Sequence, residues 1–264
     1  MTDKATLLVE RRNNVLLLTI SNAKKLNALS HEMYEIGARE LKLAATDNNI
    51  GAAIIMGADN NFCSGGDLSQ IIQGRSQPKS VTATGIEQLH GFINAIKQFP
   101  KPVIAAVEGN AAGAGFSIVL ACDFIVAAEN ARFSMAYVKV GLSPDGGGTA
   151  SLAMNLPRQL ANELAMEGVT VSTPSLHSLG MINRMTSPGQ AFNEAMIWAQ
   201  QLAKGPYGSM GRIKQLMHAA YGDAFQAQLN RERDNFVESL HSPDCGEGIT
   251  AFLQKRAPVF NKTE

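Results

Sequence analysis

The chain has 264 residues, of which 45% are hydrophobic and 17% charged, so its composition excludes a disordered or fibrous protein. Its 23 basic and 23 acidic residues give a formal net charge of zero, and no basic excess points to nucleic acid or to an anionic membrane surface. No apolar run approaches the ~20 residues of a membrane span, and the polar N-terminus has no apolar signal region. The three cysteines match no metal-binding spacing, so we expect free thiols in a cytoplasmic protein without a metal site.

The first half of the chain alternates strand and helix patterns. Two β-branched runs at residues 7–9 and 15–20 flank an asparagine pair and predict a hairpin. Helical spacing of apolar residues begins after Ser30, which stands where an N-cap is expected. A second helix is predicted over 86–96, ending before a pair of prolines. Short apolar runs predict buried strands at residues 52–56, 103–107 and 124–127.

Beyond about residue 150 the pattern is mainly helical. Apolar residues recur at helical spacing over residues 152–166, 191–202, 209–220 and 225–240. Gly205 and Pro206 interrupt this pattern, which predicts a boundary between a β/α core at 1–204 and a helical region at 205–264. The expected fold class is therefore α/β.

Three segments rich in small residues could carry chemistry: 61–68, 113–115 and 141–149. Glycine permits close approach of the backbone, and two such turns can direct two N–H groups at one oxygen, with a helix N-terminus adding positive charge. That is the construction of an oxyanion hole. Ordinary tight turns explain the same residues, and neither a P-loop nor a dinucleotide fingerprint is present.

Asp145 lies in the third of these segments, directly after Pro144 and before three glycines. Aspartate is a favoured helix N-cap, so this residue could begin the following helix. Its apolar neighbours Val138, Val140 and Leu142 favour a different role, because an apolar pocket raises the pKa of a carboxyl group toward the range useful for general base catalysis. Spacing alone leaves both interpretations open.

Taken together, these segments resemble the crotonase family, also called the enoyl-CoA hydratase/isomerase family. The resemblance follows six ordered segments: 24–29, 62–68, 101–109, 121–123, 141–149 and 247–256. It implies a spiral of ββα units with C-terminal helices that build a trimer or a dimer of trimers. It also implies an acyl-CoA thioester as substrate. Because coenzyme A is part of the substrate, no separate cofactor is expected, and neither nucleic acid nor a membrane is an expected partner.

The family resemblance assigns roles to individual residues. Gly66 and Ala114 match the positions whose two main-chain N–H groups stabilise the enolate-like oxygen, and an alanine retains that N–H. Residues matching the groove for coenzyme A are Lys24, Lys25, Leu26, Ser64, Gly65, Asp67, Leu68 and Gly113. Phe252 and Lys255 match positions that approach the coenzyme A of a neighbouring subunit.

Two departures from the family pattern bear on the reaction. Hydratases of this family add water with two glutamates, but Ser117 and Tyr137 occupy those positions here. Neither side chain titrates near neutral pH, so we expect weak hydration. Asp145 matches the acidic residue of relatives that shift double bonds, the peroxisomal-type enoyl-CoA isomerases and the ring-epoxide isomerases of phenylacetate breakdown. The resemblance thus favours a Δ3 to Δ2 isomerase, in which one base moves a proton from C2 to C4.

Other activities stay open as alternatives. Residual hydratase activity is one, with Ser117 and Tyr137 as accessory residues. Another is attack on an aryl-CoA, because chlorobenzoyl-CoA dehalogenases of the family pair a histidine at the position of His90 with an aspartate at that of Asp145. A histidine beside an apolar helix face is also commonly structural. A third alternative is an acyl-CoA binder without catalysis, or an RNA-binding relative, although the neutral charge disfavours RNA.

Overall fold

The computed structural model describes residues 5–220 and 222–260, so the N-terminal residues 1–4, with part of the predicted polar start, lie outside it. Within these ranges the strands are β1 (Thr6–Arg12), β2 (Val15–Ser21), β3 (Ala52–Gly57), β4 (Val103–Val107), β5 (Asn110–Ala112), β6 (Phe124–Ala128), β7 (Arg132–Ser134), β8 (Thr170–Ser172) and β9 (Arg184–Thr186). The α-helices are α1 (His31–Ala45), α2 (Leu68–Gly74), α3 (Lys79–Gln98), α4 (Ala114–Ala121), α5 (Gly148–Asn155), α6 (Arg158–Met166), α7 (Thr173–Ser178), α8 (Ala191–Ala203), α9 (Tyr207–Ala219), α10 (Gly222–Leu240) and α11 (Pro243–Leu253). Short 3₁₀ turns cover Ala23–Lys25 and Ala136–Val140.

A six-stranded sheet with the order β1-β2-β3-β4-β6-β9 forms the centre of the molecule. The first two strands form the predicted antiparallel hairpin, and Asn13 and Asn14 between them both have positive φ, as a tight hairpin turn requires. Every later pairing in this sheet is parallel. The central strands are buried on both faces, which explains their unbroken apolar runs.

A second, three-stranded sheet has the order β5-β7-β8. Successive segments contribute to the two sheets in turn: β4 joins the large sheet, β5 joins the small one, and α4 follows. The next pair repeats this pattern, since β6 joins the large sheet and β7 the small one. This alternation is the repeated ββα arrangement that the family resemblance implies, and the α/β class is confirmed.

One predicted helix, at 152–166, is wrong. The structure has two helices there, α5 and α6, separated at Leu156 and Pro157. Leu156 is in an extended conformation because the ring of a following proline disfavours the helical region. Pro157 is the N-cap residue directly before α6, where its missing N–H removes no hydrogen bond of the helix.

The turns that could carry chemistry lie where parallel strands end. The loop after β3 lies beside β5, because Cys63 of that loop pairs with Ala111 of β5 in an isolated parallel bridge. Helices α1 and α3 pack together, and α10 packs against both α3 and α5. Among the described residues, no helix is long and apolar enough to cross a membrane.

Candidate active site

A cavity of about 320 Å³ lies between these loops and the helices around them. Its walls come from segments far apart in sequence, including Ser64–Leu68, Gly113, Ala114, Tyr137 and Asp145. Helices α1, α3 and α10 add mainly apolar side chains: Tyr34, Ile86, Leu89, Phe236 and Leu240. The fold therefore brings three predicted segments to one largely apolar chamber.

The loop after β3 forms the first polar wall. Gly65 has a φ of 98°, a conformation that other residues adopt rarely, and its N–H points to the Cys63 sulfur at 3.3 Å. Asp67 caps α2 by accepting from the Ser69 N–H, and it forms an ion pair of 2.7 Å with Lys25. Asp67 is therefore a fixed structural carboxylate with a cation as its partner.

The N-terminus of α4 forms the second polar wall. Gly113 precedes the helix with a φ of 52°, and Ala114 is the first helical residue. Within the described part of the chain, neither the Gly66 N–H nor the Ala114 N–H donates a hydrogen bond to another protein group. Two unused donors thus line one cavity, and the helix N-terminus adds partial positive charge beside the second. An anionic oxygen would be stabilised there.

Asp145 lies on the cavity wall and is only 3% exposed. The Tyr137 hydroxyl donates to its Oδ1 at 2.6 Å, and the Ser117 hydroxyl donates to its main-chain carbonyl at 3.0 Å. Burial raises the pKa of Asp145 to about 7, with the hydrogen bond from Tyr137 opposing that rise and the negative charge of Glu232 adding to it. A carboxyl group that titrates near 7 is suited to accept and return a proton.

The alternative in which Asp145 caps a helix does not describe the structure. Helix α5 begins three residues later, and its N-cap residue is Gly147. A carboxylate from another helix, Glu232, binds the N–H groups at this helix start instead. Asp145 is therefore free of a capping role.

The positions that hold glutamates in hydratases are both buried here. Ser117 lies behind the Asp145 turn, where a Cβ added at Gly148 would be 2.8 Å from its hydroxyl. Ser117 therefore packs closely against the glycines of this turn. Tyr137 lines the cavity, and its pKa is raised well above its ordinary value by burial and by Asp145. Neither residue supplies a carboxylate, as the sequence indicates.

His90 is buried in α3 and is not among the residues that line the cavity. Neither ring nitrogen has a hydrogen-bond partner among the described residues, and Nδ1 is 3.8 Å from the Glu87 carboxylate. Burial lowers the pKa of His90, so the ring is neutral near pH 7. The structure brings Tyr137 to Asp145 but does not bring His90 into the cavity.

The predicted residues for coenzyme A divide into two groups. Ser64, Gly65, Asp67, Leu68, Gly113 and Phe252 line the cavity. Lys24, Lys25 and Leu26 lie outside its lining but beside it, because the Ser64 hydroxyl donates to the Lys25 carbonyl at 2.9 Å. Leu26 is 61% exposed and has a left-handed backbone, and Lys255 at the end of α11 also has positive φ. Phe252 lines the cavity of its own chain.

Sequence reasoning missed two functional candidates. Tyr34 lines the cavity from α1, and burial together with the Asp145 charge raises its pKa. Glu232 is 3% exposed in α10 and contacts the turn that carries Asp145. The sequence does contain a sign that Glu232 is buried, because this residue follows Leu229 by three positions and precedes Phe236 by four. An acid at that spacing lies on the apolar face of the helix.

Comparison with known proteins identifies the family of the chain. The sequence profile of the Enoyl-CoA hydratase/isomerase family matches residues 10–263. A solved enoyl-CoA hydratase structure from Polaromonas sp. JS666 is 46% identical, covers 96% of this chain and 99% of that chain, and superposes with a TM-score of 0.81. The fold and cavity thus define an acyl-CoA enzyme with the crotonase fold. The chain belongs to the enoyl-CoA hydratase/isomerase family.

The curated relatives carry different activities. One is the 1,2-epoxyphenylacetyl-CoA isomerase of Escherichia coli K12, 35% identical over 93% of this chain and 94% of that protein. Another is the 2,3-dehydroadipyl-CoA hydratase of the same strain, 33% identical over 96% of this chain and 98% of that protein. Family membership therefore gives the class of enzyme and leaves the reaction to the arrangement of its side chains.

Proposed function

We propose that this protein is a Δ3 to Δ2 enoyl-CoA isomerase with Asp145 as its single acid–base residue. One observation carries the proposal: among the residues that line the cavity, Asp145 is the carboxyl group without a cationic partner, and its pKa of about 7 suits proton transfer in both directions. The other lining carboxylate, Asp67, is paired with Lys25.

In the proposed reaction, the thioester oxygen of the substrate accepts hydrogen bonds from the Gly66 and Ala114 N–H groups. These donors stabilise the negative charge that develops on this oxygen when a proton leaves C2. The Asp145 carboxylate takes that proton, and the electron pair moves through the dienolate toward C4. The protonated Asp145 then returns the proton to C4, which moves the double bond into conjugation with the thioester.

The surroundings of Asp145 support one base rather than two. Water addition in this family uses two carboxylates, and the corresponding positions, Ser117 and Tyr137, have none. The relative named as an isomerase supports the same assignment, whereas the relative named as a hydratase makes hydration the natural competitor. Attack on an aryl-CoA through His90 has less support, because that side chain does not line the cavity.

The test offers the purified protein a 3-enoyl-CoA and, separately, the matching 2-enoyl-CoA. We expect the conjugated enoyl thioester absorbance to appear with the first substrate and to persist with the second. Fast loss of that absorbance from the 2-enoyl-CoA, without isomerisation of the 3-enoyl-CoA, would replace our proposal with a hydratase. Release of chloride from 4-chlorobenzoyl-CoA would favour the dehalogenase, and tight binding without turnover would favour a binder.

We also propose that the chain forms the trimer or dimer of trimers that the family resemblance implies. Helix α9 supports this, since Ile213, Leu216 and Met217 share one face and are 59%, 72% and 65% exposed. Contiguous exposed apolar side chains typically mark an interface. Light scattering after gel filtration should give three or six times the 28.2 kDa of one chain. A monomer mass at micromolar concentration would contradict the proposal.

A further inference from the structure

A buried carboxylate that the proposed reaction does not use lies directly behind the Asp145 turn. Glu232 belongs to α10, is 3% exposed, and is 82 to 85 residues away in sequence from the main-chain groups that it binds. Its Oε2 accepts from the Gly147 N–H at 2.6 Å, and its Oε1 accepts from the Thr149 N–H at 3.0 Å. The Thr149 hydroxyl and the Ala150 N–H also donate to Oε1.

All four contacts are made by donors, so Glu232 acts as an ionised acceptor on both oxygens. Burial raises its pKa and these donors oppose that rise. The Gln228 amide completes the network by donating to the Thr149 hydroxyl at 2.7 Å. Glu232 thus supplies the cap at the start of α5 that no residue of the turn provides.

Helix α10 also contacts Tyr137, the residue that donates a hydrogen bond to Asp145. Phe236, one turn after Glu232, lies edge-on to Tyr137 with ring centroids 6.5 Å apart. Phe225 of the same helix packs against Gly147, where an added Cβ would lie 2.6 Å from its ring. One helix therefore contacts both Tyr137 and the turn after Asp145.

We propose that Glu232 is a positioning residue, which fixes the turn from Gly147 to Ala150 and thereby orients the Asp145 carboxyl group toward the cavity. This inference rests on the proposed function in which Asp145 is the base. Its second effect is electrostatic, because a fixed negative charge nearby makes Asp145 harder to ionise. The titratable side chains that interact with Asp145 are Tyr137 from the 136–140 turn, Tyr34 from α1 and Glu232 from α10.

The experiment uses the variant Glu232→Gln in the full-length protein. Glutamine has an NH2 group in place of one carboxylate oxygen, so either the Gly147 N–H or the Thr149 donors would lose their acceptor. The substitution also removes the negative charge. We expect kcat for the 3-enoyl-CoA to fall on the order of 10-fold to 10²-fold with a nearly unchanged KM, since displacement of a reacting group costs rate rather than binding. The pH dependence of the rate should move to lower pH.

A measurement without substrate separates this inference from the proposed function. Carbon NMR titration of the aspartate carboxyl groups, with the Asp145 signal assigned by its loss in Asp145→Asn, reports the ionisation of this group directly. In Glu232→Gln the Asp145 midpoint should fall below the wild-type value of about 7. This shift tests Glu232 even if the protein proves to be a hydratase or a binder.

The matched control is Glu238→Gln, on the same helix but exposed and paired with Lys79. It should leave both kcat and the Asp145 midpoint unchanged. If Glu232→Gln does not fold, Glu232→Asp retains the charge but shortens the side chain, so kcat should fall while the midpoint stays near 7. A wild-type rate and a wild-type Asp145 titration in a folded Glu232 variant would overturn the proposal.

Discussion

Two aspartates line the same cavity, and their surroundings differ. Asp67 and Asp145 both lie in segments rich in small residues, and they are 8% and 3% exposed. Asp67 has Lys25 at 2.7 Å and a helix N–H as partners, whereas the hydrogen bond to the Asp145 side chain comes from a neutral phenol. Similar burial therefore leads to different chemistry. Asp67 is fixed by a cation and a helix N–H, whereas Asp145, with a pKa of about 7, can exchange a proton.

The largest effect is expected for the replacement Asp145→Asn. It removes the proposed base while retaining the shape of the side chain, so kcat should fall on the order of 10²-fold to 10⁴-fold. Isomerisation assays with the 3-enoyl-CoA measure the effect.

The pH dependence of thermal stability provides a control for the loss of kcat in Asp145→Asn. The raised pKa of Asp145 means that the folded protein binds this proton more tightly than the unfolded chain, so the carboxyl group destabilises the fold as pH rises from about 4 through about 7. Asp145→Asn should therefore melt higher than wild type at pH 8 and similarly at pH 4. A variant of near wild-type rate would show that Asp145 is not the base.

The second prediction concerns the donors opposite Asp145. Ala114→Pro removes one N–H at the first position of α4, where proline is compatible with a helix. Loss of an oxyanion donor typically costs about 10²-fold to 10³-fold in kcat. Steady-state kinetics measures this loss, and an unchanged melting temperature confirms that the helix survives. Retention of full activity would remove Ala114 from the oxyanion site.

The pH dependence sharpens the comparison between the two carboxyl groups. Because Asp145 must be ionised to accept a proton, kcat/KM should rise about tenfold per pH unit below 7 and level off above it. Tyr137→Phe removes the hydrogen bond that lowers the Asp145 pKa, so the midpoint of the pH profile should move to higher pH. The variant should recover its rate at higher pH. A profile that is unchanged between the two proteins would show that this hydrogen bond does not tune the base.

The smallest effect is expected for Asp67→Asn. Asparagine retains the helix cap, and a partly exposed ion pair contributes roughly 0.2 to 1 kcal/mol to the free energy of unfolding. We expect kcat to remain unchanged and the melting temperature to fall by no more than about 4 °C. A loss of kcat comparable to that of Asp145→Asn would mean that the two aspartates share the chemistry.

Much of this fold follows from local pattern, and the errors have physical causes. The hairpin, the central parallel strands and most helices are predicted because apolar periodicity reports which face of an element is buried. The helix over 152–166 is wrong because its apolar spacing continues across Pro157, where the backbone cannot. The role of Asp145 as a cap is undecidable from sequence, because the residue that caps α5 is Glu232.

The contribution of α10 to the site was not predicted for a related reason. Tyr34 and Glu232 approach Asp145 only through tertiary packing, and no local spacing connects them to residue 145. Glu232 is unusual in the sequence, because it is an acidic residue between Leu229 and Phe236 on an apolar helix face. Its hydrogen-bond partners, however, depend on the packing of α10 against α5.

The position of Glu232 near the end of the chain has a consequence for biosynthesis. Strands β1 to β7, the two N–H donors and Asp145 all precede residue 150, so they can leave the ribosome and begin to fold before α10 has been made. Glu232, which binds the turn after Asp145, follows Asp145 by 87 residues in the sequence. A nascent or truncated chain that ends before α10 would thus carry every reacting group without the helix that holds the base in place.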